Sequence, residues 1–372
     1  MPSCCSPSGH PAPAAPACCG GPQDGAKPPF VEGWIDTSIG PVPRISPRLS
    51  LCDRLGGFMV RCSIRRMQYV VEPGLYALGA PGADSPVLVT ANYKLTFDTV
   101  RSRLPGMTAW LLVLDTKGVN VWCAAGKGTF GTDELVARVQ ATRLADVVRT
   151  RTLILPQLGA PGVCAHEVSR RSGFSVVYGP VRIADVPAFL AAGMTASPAM
   201  RRVRFGIVDR LAVIPVELAQ GAGYVALLMV AAFLLGGIGR DGYSILQAVV
   251  SGGRAAAAVF FAFLLGAAVA PLLLPWIPGR AFSLKGAVLG GFVCLGGLAA
   301  GWLPLHTTSG LLESIGLCLL VPALASFMAM NFTGASTYTS LSGVRWEMRR
   351  AVPLQIAAAV FGGIAWLASR FI

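Results

Sequence analysis

Charged residues are scarce in this chain of 372 residues. Asp, Glu, Lys and Arg make up only 13% of it and hydrophobic residues make up 53%, whereas soluble globular proteins usually carry about 25% charged residues. Almost all of the hydrophobic excess follows Leu211. The composition excludes a purely soluble enzyme, and it predicts a disordered tail over 1–29, a cytoplasmic α/β domain over 30–205 and a transmembrane domain over 206–372.

The chain also lacks an opening basic stretch followed by an apolar core, so we predict no secretory signal peptide. A cytosolic N-terminal part keeps its thiols reduced. No Cys-x-x-Cys occurs among the ten cysteines, which predicts that the chain has no iron-sulfur cluster of its own. The net charge is +13, but no basic run is interleaved with aromatic residues, so contact with a membrane is favoured over nucleic acid.

The tail carries two thiol pairs with a histidine between them: Cys4 and Cys5, Cys18 and Cys19, and His10. Adjacent cysteines lack the spacing of a zinc knuckle. Two interpretations stay open, which are a passive tail and one that captures a soft metal ion.

From Phe30 to about Met200, short continuously apolar runs alternate with amphipathic segments. Such runs are typical of strands buried on both faces of a parallel sheet, and the alternation predicts a doubly wound, Rossmann-like α/β sheet. The predicted strands are 86–90, 109–114, 152–155 and 175–178, and the predicted helical segments are 95–104, 132–148, 163–171 and 185–192. The stretch 30–80 is less regular, and we expect a small β-rich part that packs on the sheet.

Five apolar stretches after Leu211 approach the roughly 20 residues that cross a bilayer. They are 221–239, 255–277, 286–305, 310–330 and 351–371, and Glu313 is the only ionisable residue that they are expected to contain. Paired glycines favour close helix packing over a transport pathway.

Basic residues near the spans predict the orientation, because cytoplasmic flanks carry more of them. Nine would lie inside and three outside if the N-terminal domain is cytoplasmic, which predicts a multi-pass protein of the inner membrane. The inside set is Arg201, Arg202, Arg204, Arg210, Arg280, Lys285, Arg345, Arg349 and Arg350, and the outside set is Arg240, Arg254 and Arg370.

The run Asn120-Val121-Trp122-Cys123-Ala124-Ala125-Gly126-Lys127-Gly128-Thr129-Phe130 follows a predicted strand and precedes a predicted helix. It therefore lies at the edge of the sheet where ligands bind. Small residues around Cys123 would let a flat group lie against the backbone, and Lys127 four residues later would favour a thiolate. A nucleophilic or ligating thiol and a buried structural cysteine both fit this spacing.

The same run resembles the signature of a corrinoid-binding family. This family includes the large subunit of the corrinoid iron-sulfur protein of acetyl-CoA metabolism and, more closely, the mercury-methylation proteins (HgcA). The similarity extends to 86–98 and 155–163 and covers roughly residues 60–200. The five predicted spans are similar to the mercury-methylation branch in particular.

The resemblance implies a cobalt corrinoid of the cobalamin type, with Asn120 to Lys127 forming a cap helix beneath it and the Cys123 sulfur as the lower axial ligand of the cobalt. Thr90, Asn92, Tyr93 and the loop from Gly159 to Gly162 would lie near the corrin and its tail. The chain has only three histidines, His10, His166 and His306, and no Asp-x-His-x-x-Gly, so an imidazole ligand of that pattern is excluded.

The leading hypothesis is a membrane-anchored methyltransferase that passes a methyl group from cobalt to Hg(II) and forms methylmercury. The resemblance implies a folate-type methyl donor system and a small two-cluster ferredoxin partner (HgcB type) that supplies electrons. The alternatives are a membrane-tethered methyl carrier of one-carbon metabolism and a transporter with a regulatory α/β domain.

Overall fold

The computed structural model describes residues 27–335 and 341–372. They fall into two compact units that divide between Val203 and Arg204, with Arg61–Ser63 grouped with the second. The tail thiols and His10 lie outside the described residues.

The first unit is built on a seven-stranded sheet in the order β1-β2-β3-β5-β4-β6-β7. The strands β4, β5, β6 and β7 run parallel to their neighbours in this group and confirm the predicted α/β fold. The strands are β1 Val31–Thr37, β2 Gly40–Ile45, β3 Gly74–Leu78, β4 Val87–Ala91, β5 Ala109–Leu114, β6 Thr152–Leu155 and β7 Ser175–Tyr178.

The structure corrects the expectation for residues 30–80. Their strands do not pack on the sheet but extend it, because β3 pairs antiparallel with β5 and makes the sheet mixed. The reason is the exposed edge of β5, whose backbone N–H and C=O groups need partners once its other edge has paired with β4.

Helices cover both faces of this sheet. Successive residues of β5 enter different cores: Leu112 packs with Phe130 on one face and Leu111 packs with Phe97 on the other, which explains the continuously apolar strands. The helices are α1 Leu51–Arg61, α2 Lys94–Arg103, α3 Val121–Lys127, α4 Thr132–Ala141, α5 Leu144–Val147, α6 Ala165–Ser172 and α7 Val186–Ala191.

Where the structure describes the second unit, it is helical apart from the short strands β8 Ile238–Gly239 and β9 Gly242–Tyr243. Its α-helices are α8 Ile207–Leu211, α9 Ile214–Leu235, α10 Ile245–Gln247, α11 Gly253–Leu264, α12 Ala270–Leu273, α13 Phe282–Ala299, α14 Thr308–Asn331 and α15 Leu341–Ala368. Among the described residues, five helical stretches are long and apolar enough to cross a membrane, namely Ile207–Leu235, Ile245–Leu273, Phe282–Ala299, Thr308–Asn331 and Ser342–Ala368.

Each of these helices begins before the corresponding apolar stretch seen in the sequence, and four of the five end before that stretch ends. The expectation that Glu313 is their only ionisable residue is wrong. Arg254 lies in α11, Lys285 in α13 and Glu347 in α15. Polar residues can continue a helix when their charges find partners. Glu313 accepts hydrogen bonds from Arg254 Nη1 at 2.8 Å and from Arg370 Nη2 at 2.6 Å, so the charge count that spoke against a transporter was incomplete.

Candidate functional site

The helix α3 follows β5 at the carboxyl edge of the sheet, as the sequence predicts. Asn120 begins it, because its side-chain Oδ1 accepts a hydrogen bond from the backbone N–H of Cys123 at 2.9 Å. Gly128 ends it with φ of 81°, and its N–H bonds to the carbonyls of Ala124 and Ala125. Local sequence alone therefore sets both ends of this short helix.

The two faces of α3 have different surroundings. Val121, Ala124 and Ala125 are buried against the core of the α/β unit. The opposite face is exposed, and it carries Trp122, Cys123, Gly126 and Lys127. Residues three and four positions apart share one side of a helix, so the Cys123 side chain lies beside Gly126 on an exposed surface.

Close contacts with Gly159 and Gly162 support the buried side of α3. The side chain of Phe130 is fully buried, and a Cβ added at Gly159 would come within 2.5 Å of its ring. A Cβ added at Gly162 would meet the Phe130 carbonyl at 2.1 Å and Ala125 Cα at 3.0 Å. The loop from Gly159 to Gly162 thus supports the buried side of α3.

Asn92 fixes the loop that precedes α3. Its Oδ1 accepts hydrogen bonds from Thr116 Oγ1 at 2.9 Å and from the N–H of Gly118 at 3.1 Å, while its Nδ2 donates to Asp115 Oδ1 at 3.2 Å. Asn92 is itself buried. One amide therefore holds the turn between β5 and α3 by several bonds at once.

Gly126 differs from the glycines beneath the helix. A Cβ added there would meet nothing within 4 Å, so packing within the chain does not require a glycine. Glycine inside a helix costs about 0.5–1 kcal/mol relative to alanine. A bare backbone beside an exposed thiol is the surface that a broad, flat ligand needs for close approach.

The other predicted site residues are buried. Thr90 lies within β4 opposite Val113, and Tyr93 packs with Val60 and Tyr69 in a small apolar cluster. The structure brings Trp122, Cys123, Gly126 and Lys127 to one exposed face capped by Asn120, and it places Thr90, Asn92 and Tyr93 in the interior. A contact of these three, or of Gly159 and Gly162, with a bound group stays a prediction.

Sequence reasoning missed an ionic network beneath Tyr93. Lys94 Nζ lies 2.5 Å from Asp53 Oδ1 and 2.8 Å from Asp98 Oδ2, and the buried Arg101 guanidinium bonds both carboxylates at 2.7 Å. Burial alone would raise the pKa of Asp53, but hydrogen bonds and charge from Lys94, with a further bond from Arg101, hold it well below its usual value. The spacing Lys94-x-x-x-Asp98 was the available signal.

A thiol–imidazole contact was also missed. Cys164 Sγ lies 3.2 Å from His166 Nδ1, next to the loop that supports α3. The described residues 27–335 and 341–372 contain no group of three or more His, Cys, Asp or Glu that could hold a metal ion. Among the free cysteines of these residues, Cys123 is the exposed one.

An open cavity of about 660 Å³ lies at the opposite edge of the sheet. Asp84, Met107, Thr150 and Thr152 are among its lining residues, and these precede or begin strands. Ligands of open α/β sheets bind beyond the carboxyl ends of the strands. We therefore place the candidate site at α3.

Comparison with known proteins finds a family that is similar to part of the α/β unit. Residues 65–190 match the model of the family described as CO dehydrogenase/acetyl-CoA synthase delta subunit (CdhD). This match contains β4 to β7 and the whole of α3. This part of the α/β unit is therefore similar to the CdhD family.

Curated relatives share this part of the chain. The acetyl-CoA decarbonylase/synthase complex subunit gamma of Archaeoglobus fulgidus is 36% identical over 113 residues, which are 30% of this chain and 24% of that protein. The corresponding subunit of Methanopyrus kandleri is 35% identical over 122 residues, 32% of this chain and 26% of the relative. The corrinoid/iron-sulfur protein large subunit of Moorella thermoacetica is 30% identical over 128 residues, 34% and 28% of the two chains. The chain spans about a quarter of the length of these relatives.

Proposed function

We propose that this protein is a membrane-anchored corrinoid methyltransferase that transfers a methyl group to Hg(II) and forms methylmercury. The observation that carries the proposal is the exposed Cys123 thiol beside the bare backbone of Gly126, on a helix that the fold supports from below. The similarity to a corrinoid/iron-sulfur protein large subunit supports the choice of cofactor.

The residues of α3 fit a corrinoid. Cys123 offers a soft ligand for the cobalt, Gly126 leaves room for a macrocycle, and Trp122, which is 43% exposed, offers a flat apolar surface at its margin. Asn120 fixes the backbone position of Cys123 because its side chain accepts a hydrogen bond from the Cys123 N–H. When bound, the corrinoid supplies a cobalt centre that carries a methyl group and releases it to an acceptor.

The Cys123 sulfur decides which acceptor is favoured. As a thiolate, Cys123 would hold the cobalt through a strongly electron-donating sulfur, as thiolates do with haem iron, and the bound group would then supply a methyl that leaves with its bonding electrons. Hg(II) is a soft electrophile that accepts a carbanion equivalent, and it loses one thiolate ligand as the carbon–mercury bond forms. The same donation makes cobalt harder to reduce, so a ferredoxin of the HgcB type would supply electrons and a folate-type system the next methyl group.

The five apolar helices would anchor the protein in the inner membrane with the α/β unit in the cytoplasm, as the basic residues near the spans predict. A reporter fused after Ile372 would then respond as if outside the cell. A cytoplasmic response would contradict this topology.

A second candidate is a membrane-tethered methyl carrier of one-carbon metabolism. The names of the relatives, which are subunits of acetyl-CoA decarbonylase/synthase complexes, favour it. Its acceptor takes a methyl cation equivalent, so the two candidates differ in the acceptor that they prefer.

Single-turnover transfer from the methylated full-length chain separates them. We expect methylmercury from an Hg(II) thiolate complex faster than methylation of a thiol acceptor. Cys123→Ala should alter the visible spectrum of the bound corrinoid and abolish transfer, whereas Cys62→Ala, which removes another thiol of the chain, should do neither. Fast transfer to the thiol and none to mercury would support the second candidate.

A further inference from the structure

Two cysteines of the helical unit lie at one apolar cluster. Cys294 of α13 is a buried member of this cluster, and Cys318 of α14 packs against it. Cys294 is 7% exposed, and Cys318 is half-buried. Neither residue has a part in the site on α3.

The helix packing fixes this arrangement. The helices α13 and α14 run antiparallel, and a Cβ added at Gly286 would lie 2.4 Å from the Ala325 carbonyl, while one added at Gly290 would lie 2.6 Å from Pro322 Cα. Cys294 and Cys318 occupy the next step of the same series, four residues further along each helix. The pair therefore belongs to a seam in which the two backbones are held close together.

We propose that Cys294 and Cys318 form a two-coordinate thiolate site for Hg(II). The inference rests on the proposed function only in taking mercury as the substrate. Thiolates prefer soft metals, and no third His, Cys, Asp or Glu ligand joins the pair within the described parts of the chain. Zn²⁺ demands four ligands in structural sites, whereas Hg(II) is satisfied by two thiolates in a line.

The apolar surroundings favour a metal–thiolate complex without net charge. The cluster also contains Ala258, Ala262 and Val321, and an uncompensated charge among such side chains is strongly disfavoured. Two thiolates with one divalent ion make a neutral complex. The same thiolates with a monovalent soft ion would leave a net charge of −1, so the site favours Hg(II).

Loading is a ligand exchange without oxidation or reduction. Two bonds from mercury to solution thiolates break, and two bonds to the sulfurs of Cys294 and Cys318 form. The protons of the two protein thiols go to the two thiolates that leave.

The test uses the full-length chain in lipid nanodiscs, loaded with the Hg(II) bis(glutathione) complex and washed with excess glutathione. Each of Cys294→Ser and Cys318→Ser should retain one mercury ion fewer per chain than the wild type, and the double variant should also lose only one. Serine keeps a hydroxyl group but is a hard ligand. Loss of the second thiol should weaken retention about 10²–10⁴-fold, since binding of the second ligand is intramolecular.

Cys62→Ser is the matched control, and it should leave this mercury in place. Unchanged retention in Cys294→Ser and Cys318→Ser would overturn the proposal. A second measurement needs no variant: bound Hg(II) should protect Cys318 of the wild type from a membrane-permeable maleimide, as read by mass spectrometry. Labelling at the same rate with and without mercury would also overturn it.

The outcome is separable from that of the proposed function. Cys123→Ala should abolish methylmercury formation and leave mercury at the pair. Mercury retained by the pair without any methylmercury from the wild type would remove the proposed function alone, and methylmercury formed with unchanged retention in both serine variants would remove the pair alone.

Discussion

The two units of this protein differ in the kind of packing that stabilises each of them internally. The α/β unit depends on large side chains that fill its cores, such as the fully buried Phe97, Trp110 and Phe130. The helical unit depends on glycines that let helix backbones approach closely. A Cβ at Gly236 would lie 2.3 Å from Gly252 Cα, and one at Gly316 would lie 2.8 Å from the Gly362 carbonyl. Burial from water drives the first kind of packing, whereas helices in an apolar solvent gain mainly from close contact.

The surface of the helical unit also differs from that of the α/β unit. The helical unit exposes large apolar side chains such as Leu228, Phe292, Leu295 and Phe361, which water would not tolerate as a continuous patch. Both units nevertheless bury charge in multivalent clusters, Asp53 and Asp98 with Lys94 and Arg101 in the first and Glu313 with two arginines in the second. In each unit the buried charges are therefore paired with charges of opposite sign.

The largest effect is expected from removal of a filling side chain. Phe130→Ala should destabilise the α/β unit by about 3–5 kcal/mol and weaken corrinoid binding, because Phe130 lies beneath α3. Hydrogen exchange at the amides of β4 to β6 would measure the loss locally. Phe58→Ala removes a ring that is 61% exposed, and a loss of the same size there would show that burial is not the cause.

Removal of one carboxylate from the network of Asp53, Asp98, Lys94 and Arg101 should destabilise the α/β unit somewhat less. Asp53→Asn leaves Arg101 and Lys94 with one carboxylate fewer and should destabilise the unit by about 3 kcal/mol near neutral pH. Because the folded-state pKa of Asp53 is depressed below the ordinary 3.8, its contribution is fully present above about pH 4 and is lost as the pH falls through the folded value.

Unfolding midpoints of the wild type and of Asp53→Asn should therefore converge only below about pH 4. A difference that stays constant down to strongly acidic pH would contradict the charged state of Asp53. Asp84→Asn is the matched control, since Asp84 pairs with Arg149 at the surface and should have little effect.

Adding a methyl group should harm the helical unit. Gly290→Ala places a Cβ 2.6 Å from Pro322 Cα, and separating the two helices should cost about 1–3 kcal/mol. Thermal unfolding in detergent would measure it. Gly291→Ala adds the same group where nothing lies within 4 Å, and equal destabilisation by both would remove the distinction between the units.

The substitution with the smallest expected change in stability gives the most specific test of the candidate site at α3. Gly126→Ala should stabilise the chain by about 0.5–1 kcal/mol through helix propensity and weaken corrinoid binding, because the new Cβ stands in the open space beside Cys123. Gly223→Ala, also in a helix with nothing within 4 Å, should gain stability and leave binding unchanged. Undiminished binding in Gly126→Ala would show that the bare backbone is not used.

The sequence by itself determined the local features: four apolar strands, the helices between them and five long apolar helices. Each depends on neighbouring residues only or on periodicity. The resemblance of the run around Cys123 to a known family implied a helix at this place, where the structure has α3, and it implied a corrinoid as the ligand, which stays a prediction.

Tertiary structure decided what depends on residues far apart in the chain. Only the fold shows that β3 covers the edge of β5, that Asn92 fixes the turn before α3, and that Gly159 and Gly162 lie beneath α3 while Gly126 faces open space. It also brings Cys294 and Cys318 to one apolar cluster and Glu313 to two arginines. These contacts follow from the register between elements, and register is set by packing that no local pattern encodes.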